Sequence, residues 1–202
     1  MYTIYFFMLV AVSFLIGSVP TGYLIVKLLK GKDIRNEGSR NIGATNVLRA
    51  TGKLPAVIVL ALDTLKGYLA VKLASLLPYM QWELFTLASA LFVIAGHCWT
   101  IFLGFKGGKG VATGLGAFLA IAPMQTAASA VVFFIVIILS RYVSLASMLA
   151  SAALPVICYF TGKSAAFSAA ASLIALLIIY RHRENILRII QGNENKIGIK
   201  TR

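Results

Sequence analysis

The sequence predicts an all-α integral membrane protein with about seven transmembrane helices. Of its 202 residues, 59% are hydrophobic and 12% are charged, and the mean hydropathy is +0.88. A soluble domain of this length carries about twice that charged fraction. Apolar runs follow one another almost to the C-terminus. Since hydrocarbon offers no partner for open backbone groups, the runs are predicted to be helices.

Seven apolar segments are the candidate spans. They cover residues 2–29, 54–77, 83–103, 111–122, 124–140, 145–160 and 166–180. The first has no basic residues before it and is too long for a signal peptide, so we predict a retained span. The fourth is short of the roughly twenty residues needed to cross a bilayer alone. Pro123 separates it from the fifth.

Positive charge indicates how these segments are threaded. With seven crossings and the N-terminus outside, sixteen of the nineteen Lys and Arg residues fall on the cytoplasmic side, as the positive-inside rule requires. Merging 111–140 into one crossing would place the last six cations outside. We therefore predict one polytopic domain over 1–202 with a cytoplasmic C-terminus. Its cytoplasmic segments are predicted at 30–53, 104–113, 140–147 and 181–202.

The net charge of +13 would suggest nucleic acid in a soluble chain. Here the cations orient loops toward the cytoplasm and toward anionic lipid head groups, so no nucleic-acid partner is expected. Only two cysteines are present, Cys98 and Cys158, both within apolar runs. Neither a disulfide, a metal site nor a cofactor is predicted.

The first polar segment, EGSRNIGATNVLRATGK (37–53), is rich in small and amide residues. Its composition fits a polar binding loop in which Arg49 holds phosphate or carboxylate through two hydrogen bonds. It also fits a solvated loop that supplies helix caps.

The second polar segment contains Gly104–Gly110, which we call the glycine–lysine loop. Its glycines are expected to let backbone N–H groups converge on an anion. Lys106 and Lys109 add charge, and a helix starting near Val111 would add its positive dipole end. The spacing does not match a Walker A loop. The alternative is a glycine-rich turn that carries lysines only for membrane orientation.

Two further segments, 140–147 and 180–196, combine cations with hydroxyl, amide and imidazole groups. His182 is the side chain there whose pKa is ordinarily near neutrality. Within the second span, Asp63 and Lys66 are spaced i, i+3 and are expected to pair toward the bundle interior. Their role is either structural or to support the site from behind. His97, which lies shortly before the glycine–lysine loop, is either a satisfied structural group or a base.

Three stretches resemble the signature motifs of the bacterial acyl-phosphate-dependent glycerol-3-phosphate acyltransferases. They are SRNIGATNVLR (39–49), GHCWTIFLGFKGGKGVAT (96–113) and RHRENILRIIQGNEN (181–195). GSVPTG (17–22), DTLKG (63–67) and RYVSLAS (141–147) also look like family segments. The resemblance covers essentially the whole chain, and the combined motifs are highly specific.

The resemblance implies transfer of a fatty acyl group from acyl phosphate to the 1-hydroxyl of glycerol 3-phosphate. Lysophosphatidic acid and inorganic phosphate would be the products, as the first acylation of bacterial phospholipid synthesis. We expect direct transfer without an acyl-enzyme, in a monomer that is embedded in membrane lipid. The bacterial inner membrane and an active site facing the cytoplasm are implied. A transporter of a phosphorylated anion and a lipid-binding scaffold remain the alternatives.

The resemblance also implies site residues. The expected catalytic residues are Ser39, Arg49, His182 and Asn185. The expected substrate- and phosphate-binding residues are Asn41, Gly43, Thr45, Asn46, Lys106, Gly107, Gly108, Lys109, Gly110, Thr113, Arg141, Ser144 and Glu194. Asp63, Lys66 and His97 are expected to support them. One departure from the family pattern is Arg40, where the family often has glycine. This leaves the backbone shape at residue 40 open, because arginine adopts a left-handed turn less readily than glycine.

Overall fold

The computed structural model describes residues 2–77 and 82–197. These residues form α-helices and connecting turns, so the all-α prediction is confirmed for them. They divide into two compact units, residues 1–121 and 122–202. In the first unit the helices are α1 (Tyr2–Ser18), α2 (Thr21–Lys30), α3 (Ala44–Thr51), α4 (Lys53–Ser75), α5 (Trp82–Cys98) and α6 (Val111–Ile121). In the second they are α7 (Pro123–Ser140), α8 (Val143–Phe160), α9 (Ala165–Arg181) and α10 (Arg183–Ile190).

Among the described residues, five helical segments are long and apolar enough to cross a bilayer. They are Tyr2–Lys30, Lys53–Ser75, Trp82–Leu103, Pro123–Ser140 and Val143–Phe160. A sixth results if α9 and α10, bent by 58°, form one span. The short fourth segment is an eleven-residue helix, α6, and the helix breaks at Ala122 before α7 begins at Pro123, so the predicted division at this proline is confirmed. A multi-pass membrane protein is therefore supported, whereas seven crossings and their orientation stay predictions.

The first predicted span, 2–29, is found as the apolar helical segment Tyr2–Lys30, which contains a break. The helix stops at Ser18 and resumes at Thr21, because Pro20 has no N–H to continue the hydrogen-bond ladder. α1 packs against α5, and α4 against α6. Glycines allow both close approaches: a Cβ on Gly17 would overlap the Val93 carbonyl, and one on Gly116 the Thr64 carbonyl. Small residues at helix contacts are typical of membrane bundles.

The first polar segment is partly helical rather than a simple loop. Its residues 44–51 form α3, which ends at Gly52 with φ +95°. A buried apolar cluster packs this segment against the 3₁₀ turn Ile101–Leu103 that precedes the glycine–lysine loop. Its members are Val26, Ile34, Ile42, Val47, Ala56, Val59 and Leu103. The core of the first unit therefore places two of the motif segments side by side.

In the second unit, α7 packs on α8 and α8 on α9. Pro123 is the first residue of α7, where its missing N–H costs nothing. Ser129 Oγ on α7 donates to the Ala150 carbonyl on α8 at 2.7 Å. The Ser164 side chain caps α9 by accepting from the Phe167 N–H. α10 then turns away at His182, which places residues 183–197 at the end of α9 that adjoins the α7–α8 turn.

Candidate functional site

The loop of the first motif is organised by one buried amide, Asn46, which is 2% exposed. Its Oδ1 accepts from the Ser39 N–H at 2.9 Å. Its Nδ2 contacts the carbonyls of Ile34, Glu37 and Asn41 at 3.3, 2.9 and 2.9 Å. Asn46 was expected among the substrate-binding residues. The structure instead places its polar atoms on loop backbone, where they fix the position of Ser39.

The neighbouring motif residues have different environments. Ser39 is half-buried and Arg49 is exposed on α3. Asn41 Oδ1 accepts from the Gly43 N–H at 2.9 Å, so Asn41 shapes the start of α3. Thr45 lies one helical turn before Arg49 on the same face of α3. The first motif thus presents Ser39 on a loop that two amide side chains hold, and Thr45 and Arg49 on the helix that follows it.

Two backbone N–H groups of the glycine–lysine loop donate to α5, although they were predicted to face an anion. The Gly107 and Gly108 N–H groups donate to the carbonyls of Cys98 and His97 at the end of α5, at 3.2 and 2.9 Å. Convergence of these two amides on an anion was therefore a wrong expectation. Their glycines are needed for another reason. A Cβ on Gly107 would overlap the His97 and Cys98 backbone, and a Cβ on Gly108 the His97 ring.

The rest of this loop keeps the features of an anion site. Lys106 is exposed and Lys109 half-buried. Gly110, with φ +84°, leads directly into α6 at Val111. The Thr113 side chain is fully buried in the first turn of α6. Cationic side chains beside a helix N-terminus favour a bound phosphate.

Arg35 links the first two motif segments. Its guanidinium donates to the Leu103 carbonyl at 3.3 Å and to Asp33 Oδ2 at 2.7 Å. The hydrogen bond to Arg35 lowers the pKa of the Asp33 carboxyl below its ordinary value, against the opposing effect of burial. Arg35 therefore holds the turn before the glycine–lysine loop against the segment that begins the first motif.

Asp63 and Lys66 pair as the sequence predicts, and the structure adds His97 to them. Lys66 Nζ lies 2.7 Å from Asp63 Oδ1, and His97 Nδ1 lies 3.6 Å from the same oxygen. Thr21 Oγ1 also donates to Asp63 Oδ1 at 2.6 Å. All four side chains are buried. The Asp63–Lys66 pair thus faces the interior of the first unit. It lies beside His97, whose ring is close to Gly108 of the glycine–lysine loop.

In the second unit, Glu194 is the centre of the third motif. Its Oε1 accepts from Asn185 Nδ2 at 2.7 Å and from Ser144 Oγ at 2.8 Å. Its Oε2 accepts from Arg188 Nε at 2.8 Å. Burial opposes ionisation of Glu194, but these three hydrogen bonds outweigh it and lower its pKa below the ordinary value. Glu194 was expected to bind substrate. The structure places its carboxylate on Arg188, Asn185 and Ser144.

His182 is buried at the bend between α9 and α10. Its Nδ1 lies 2.8 Å from the Ile178 carbonyl oxygen. Because a carbonyl only accepts, Nδ1 carries the proton in the neutral ring, and Nε2 is then the nitrogen able to accept one. Arg141 is exposed and ends α7 with φ +61°, and its carbonyl accepts from the Ile197 N–H at 2.9 Å. Residues 198–202 of the last basic segment lie outside the described residues.

Sequence reasoning missed two side chains in these clusters. Arg188 was not among the expected site residues, although its guanidinium pairs with the Glu194 carboxylate. Thr21 was noted only within GSVPTG, and sequence gives no sign that its hydroxyl meets Asp63. Within the first unit, His97 joins the Asp63 group to the glycine–lysine loop, and Arg35 joins the turn before that loop to the segment that precedes the first motif. Within the second, His182, Asn185, Ser144 and Glu194 form one cluster with Arg188.

Comparisons with known proteins agree on one family. A family model described as glycerol-3-phosphate acyltransferase matches residues 7–192. A glycerol-3-phosphate acyltransferase of Synechococcus sp. (strain CC9902) is 46% identical over 193 residues, with 96% of both chains covered. One from Syntrophotalea carbinolica is 43% identical over 192 residues, covering 95% of this chain and 97% of that relative.

Solved structures give the same result. The chain is similar to PlsY, described as an integral membrane glycerol 3-phosphate acyltransferase, in its glycerol 3-phosphate form. The TM-score is 0.90 at 41% identity, with 96% of each chain covered. For the lysophosphatidic acid form of PlsY the TM-score is 0.87 at 39% identity, with 96% of this chain and 95% of the other covered.

Proposed function

The chain belongs to the glycerol-3-phosphate acyltransferase family, and from this premise we propose that it acylates the sn-1 hydroxyl of glycerol 3-phosphate with an acyl phosphate as donor. The products would be lysophosphatidic acid and inorganic phosphate. The observation that carries the proposal is the near-complete match, in both directions, to a PlsY structure in its glycerol 3-phosphate form. The proposed setting is the bacterial inner membrane, with the polar motif segments on the cytoplasmic side.

The proposed chemistry needs little beyond binding and orientation. The substrate hydroxyl oxygen attacks the acyl carbonyl carbon, and the bond from that carbon to the phosphate oxygen breaks as phosphate leaves. Both substrates are anions, so Lys106, Lys109 and Arg49 are proposed to neutralise phosphate charge and to hold the reactants together. The half-buried Ser39, fixed by Asn46, is proposed to orient a substrate phosphate or hydroxyl through its side chain.

The proton released by the hydroxyl needs an acceptor. We assign it to the phosphate group of the donor, with His182 or His97 as the side-chain alternative. His182 has the better-defined geometry, since the contact of Nδ1 with Ile178 leaves Nε2 as the basic nitrogen. Asn185 lies one helical turn after His182 and donates to the Glu194 carboxylate. Arg188 balances the charge of that carboxylate.

Direct transfer is proposed because the sequence offers no GxSxG elbow. Cys98, next to His97, is the conceivable nucleophile, but it is fully buried. A pulse of palmitoyl phosphate without acceptor, followed by mass spectrometry of the intact protein, should leave the mass unchanged. An acyl adduct on Cys98 or Ser39 would overturn direct transfer.

The donor is tested by offering purified protein palmitoyl phosphate, palmitoyl-CoA or palmitoyl-acyl carrier protein with labelled glycerol 3-phosphate. Lysophosphatidate is expected only with palmitoyl phosphate. Product from the thioester donors alone would assign a different donor. A transporter would instead carry labelled glycerol 3-phosphate into vesicles and form no lysophosphatidate, so the same substrate in reconstituted vesicles separates the two functions.

A further inference from the structure

Buried polar groups cluster behind the glycine–lysine loop in a way that the proposed reaction does not by itself require. Asp63 and Lys66 are only 2% and 8% exposed, and both lie within the span formed by α4. Ionisable side chains at such depth are costly, and they usually face the protein interior with defined partners. Here those partners come from two other segments, the α1–α2 break and the end of α5.

The break between α1 and α2 supplies acceptors to this cluster. In the break between Ser18 and Thr21, the Val19 carbonyl accepts from Lys66 Nζ at 2.9 Å. The Ser18 carbonyl accepts from Thr100 Oγ1 at 2.5 Å. Backbone groups released by a helix break inside a membrane must be satisfied by protein. Side chains from α4 and from the turn after α5 therefore satisfy two carbonyls at the break in the first span.

Asp63 connects this break to His97. Its Oδ1 accepts from Thr21 and lies 3.6 Å from His97 Nδ1, a separation within ion-pair range but longer than a hydrogen bond. The other edge of the imidazole, at Nε2, lies against Gly108, where an added Cβ would overlap the ring. The His97 carbonyl also accepts from the Gly108 N–H. The imidazole thus lies between the Asp63 carboxylate and the backbone of the glycine–lysine loop.

We propose that Asp63 is a positioning residue that acts through the His97 imidazole to hold Gly107–Lys109 in its phosphate-binding conformation. Lys66 and Thr21 fix the carboxylate from the other side. This inference rests on the proposed function, since it assigns the loop to a substrate phosphate. The competing role is purely structural, in which Asp63 and Lys66 only join α4 to the α1–α2 break.

A paired substitution separates the two roles. Replacing one member of a buried ion pair leaves an uncompensated charge, whereas replacing both removes that penalty. The double variant Asp63→Asn with Lys66→Met is expected to melt close to the wild type in detergent. Its KM for glycerol 3-phosphate or for palmitoyl phosphate should nevertheless rise about tenfold, the scale on which groups behind a ligand-binding residue usually act. Its kcat should change less. Wild-type KM values, or a fall confined to kcat, would overturn the proposal.

Coupling to His97 gives a second readout. If Asp63 acts through the imidazole, adding His97→Leu to the double variant should give the same KM as His97→Leu alone. Effects that multiply would contradict a shared path. Should the double variant not fold, Thr21→Val removes only the hydroxyl that holds Asp63 and should raise the same KM. An unchanged KM for Thr21→Val would then overturn the proposal.

The matched control is Ser13→Ala. It removes a buried hydrogen bond between α1 and α5, from Ser13 to Ser89 at 2.8 Å, in the same unit but before the helix break. Its KM values should match the wild type. Turnover by the wild type tests the proposed function before any variant is compared. If the wild type binds glycerol 3-phosphate without turning it over, the proposed function fails. The variants are then compared with the wild type by their Kd for glycerol 3-phosphate instead of their KM.

Discussion

Arg40 occupies a backbone conformation that glycine adopts more readily. Its φ is +56°, and its N–H donates to the Glu37 carbonyl at 2.9 Å. A side chain in the left-handed region costs roughly 1–2 kcal/mol. The loop therefore keeps the shape that glycine would favour, and the Asn46 hydrogen bonds on either side of residue 40 hold the arginine in it.

Replacing Arg40 by glycine should therefore stabilise the folded protein. We expect a gain of about 0.5–1 kcal/mol, because relief of the left-handed strain exceeds the added entropy of the unfolded chain. Thermal unfolding in detergent measures it. Arg40→Ala is the control, since alanine keeps the strain and should give no gain. Equal midpoints for the glycine and alanine variants would contradict this explanation.

Glu194 should make stability depend on pH in the acid range. Its folded-state pKa lies below the ordinary value of 4.5, so between those two values the unfolded chain binds more protons. Its contribution is therefore complete above the unfolded pKa and is lost as pH falls through the lowered folded pKa. Glu194→Gln should lower stability at neutral pH by about 2 kcal/mol, typical of hydrogen bonds to a charged group.

The measurement is the unfolding midpoint in detergent from pH 3 to pH 7. Glu194→Gln should flatten the rise in stability over this range, although Asp33 contributes a similar dependence. Glu184→Gln, at an exposed position on α10, is the control and should keep the wild-type slope. If the unfolding midpoint of Glu194→Gln kept the wild-type slope against pH, the contacts of residue 194 with Arg188, Asn185 and Ser144 would not depend on its charge.

At the scale of elements, the glycine–lysine loop is shaped by close packing on α5. Gly107→Ala and Gly108→Ala should each abolish most acyltransferase activity, because their Cβ atoms would overlap His97 and Cys98. Overpacking of this kind typically costs 1–3 kcal/mol and shifts the backbone. Activity against palmitoyl phosphate measures the effect.

Gly104→Ala is the matched control in the same loop. Gly104 has φ +63° but no atom within 4 Å of an added Cβ. The Gly104→Ala variant should therefore lose about 1 kcal/mol of stability from backbone strain and retain most of its acyltransferase activity. If Gly104→Ala were as inactive as Gly108→Ala, backbone flexibility rather than contact with His97 would explain the glycines.

Sequence predicted the helices well because apolar runs and Pro123 are local signals. It also predicted that Asp63 and Lys66 pair, since i, i+3 spacing fixes their proximity. It could not predict that Asn46 would bind loop carbonyls from residues 34 to 41, or that the Gly107 and Gly108 amides would meet α5. Those contacts depend on how separate segments pack, which residue types alone do not specify. The break at Pro20 was not among the predictions, although the missing N–H of proline is a local signal for one.

At the scale of the whole molecule, the orientation in the membrane remains a prediction with a direct test. Seven crossings place the two chain ends on opposite sides of the membrane, whereas six place them on the same side. Single cysteines replacing Lys32 and Lys163, in a background without Cys98 and Cys158, should be labelled by impermeant maleimide from opposite sides. Lys32 is expected on the cytoplasmic side. Labelling of both positions from one side would contradict the predicted threading.

We propose that this membrane protein moves an acyl group from an acyl phosphate to glycerol 3-phosphate. Phosphate release from palmitoyl phosphate by the purified protein, with and without glycerol 3-phosphate, tests it most directly. Release is expected only with the acceptor, at one phosphate for each lysophosphatidate formed. Lys109→Ala should lower kcat/KM by at least about 100-fold, while Lys72→Ala, exposed at the far end of α4, should not. Equal phosphate release without glycerol 3-phosphate, or tight binding with no lysophosphatidate, would contradict it.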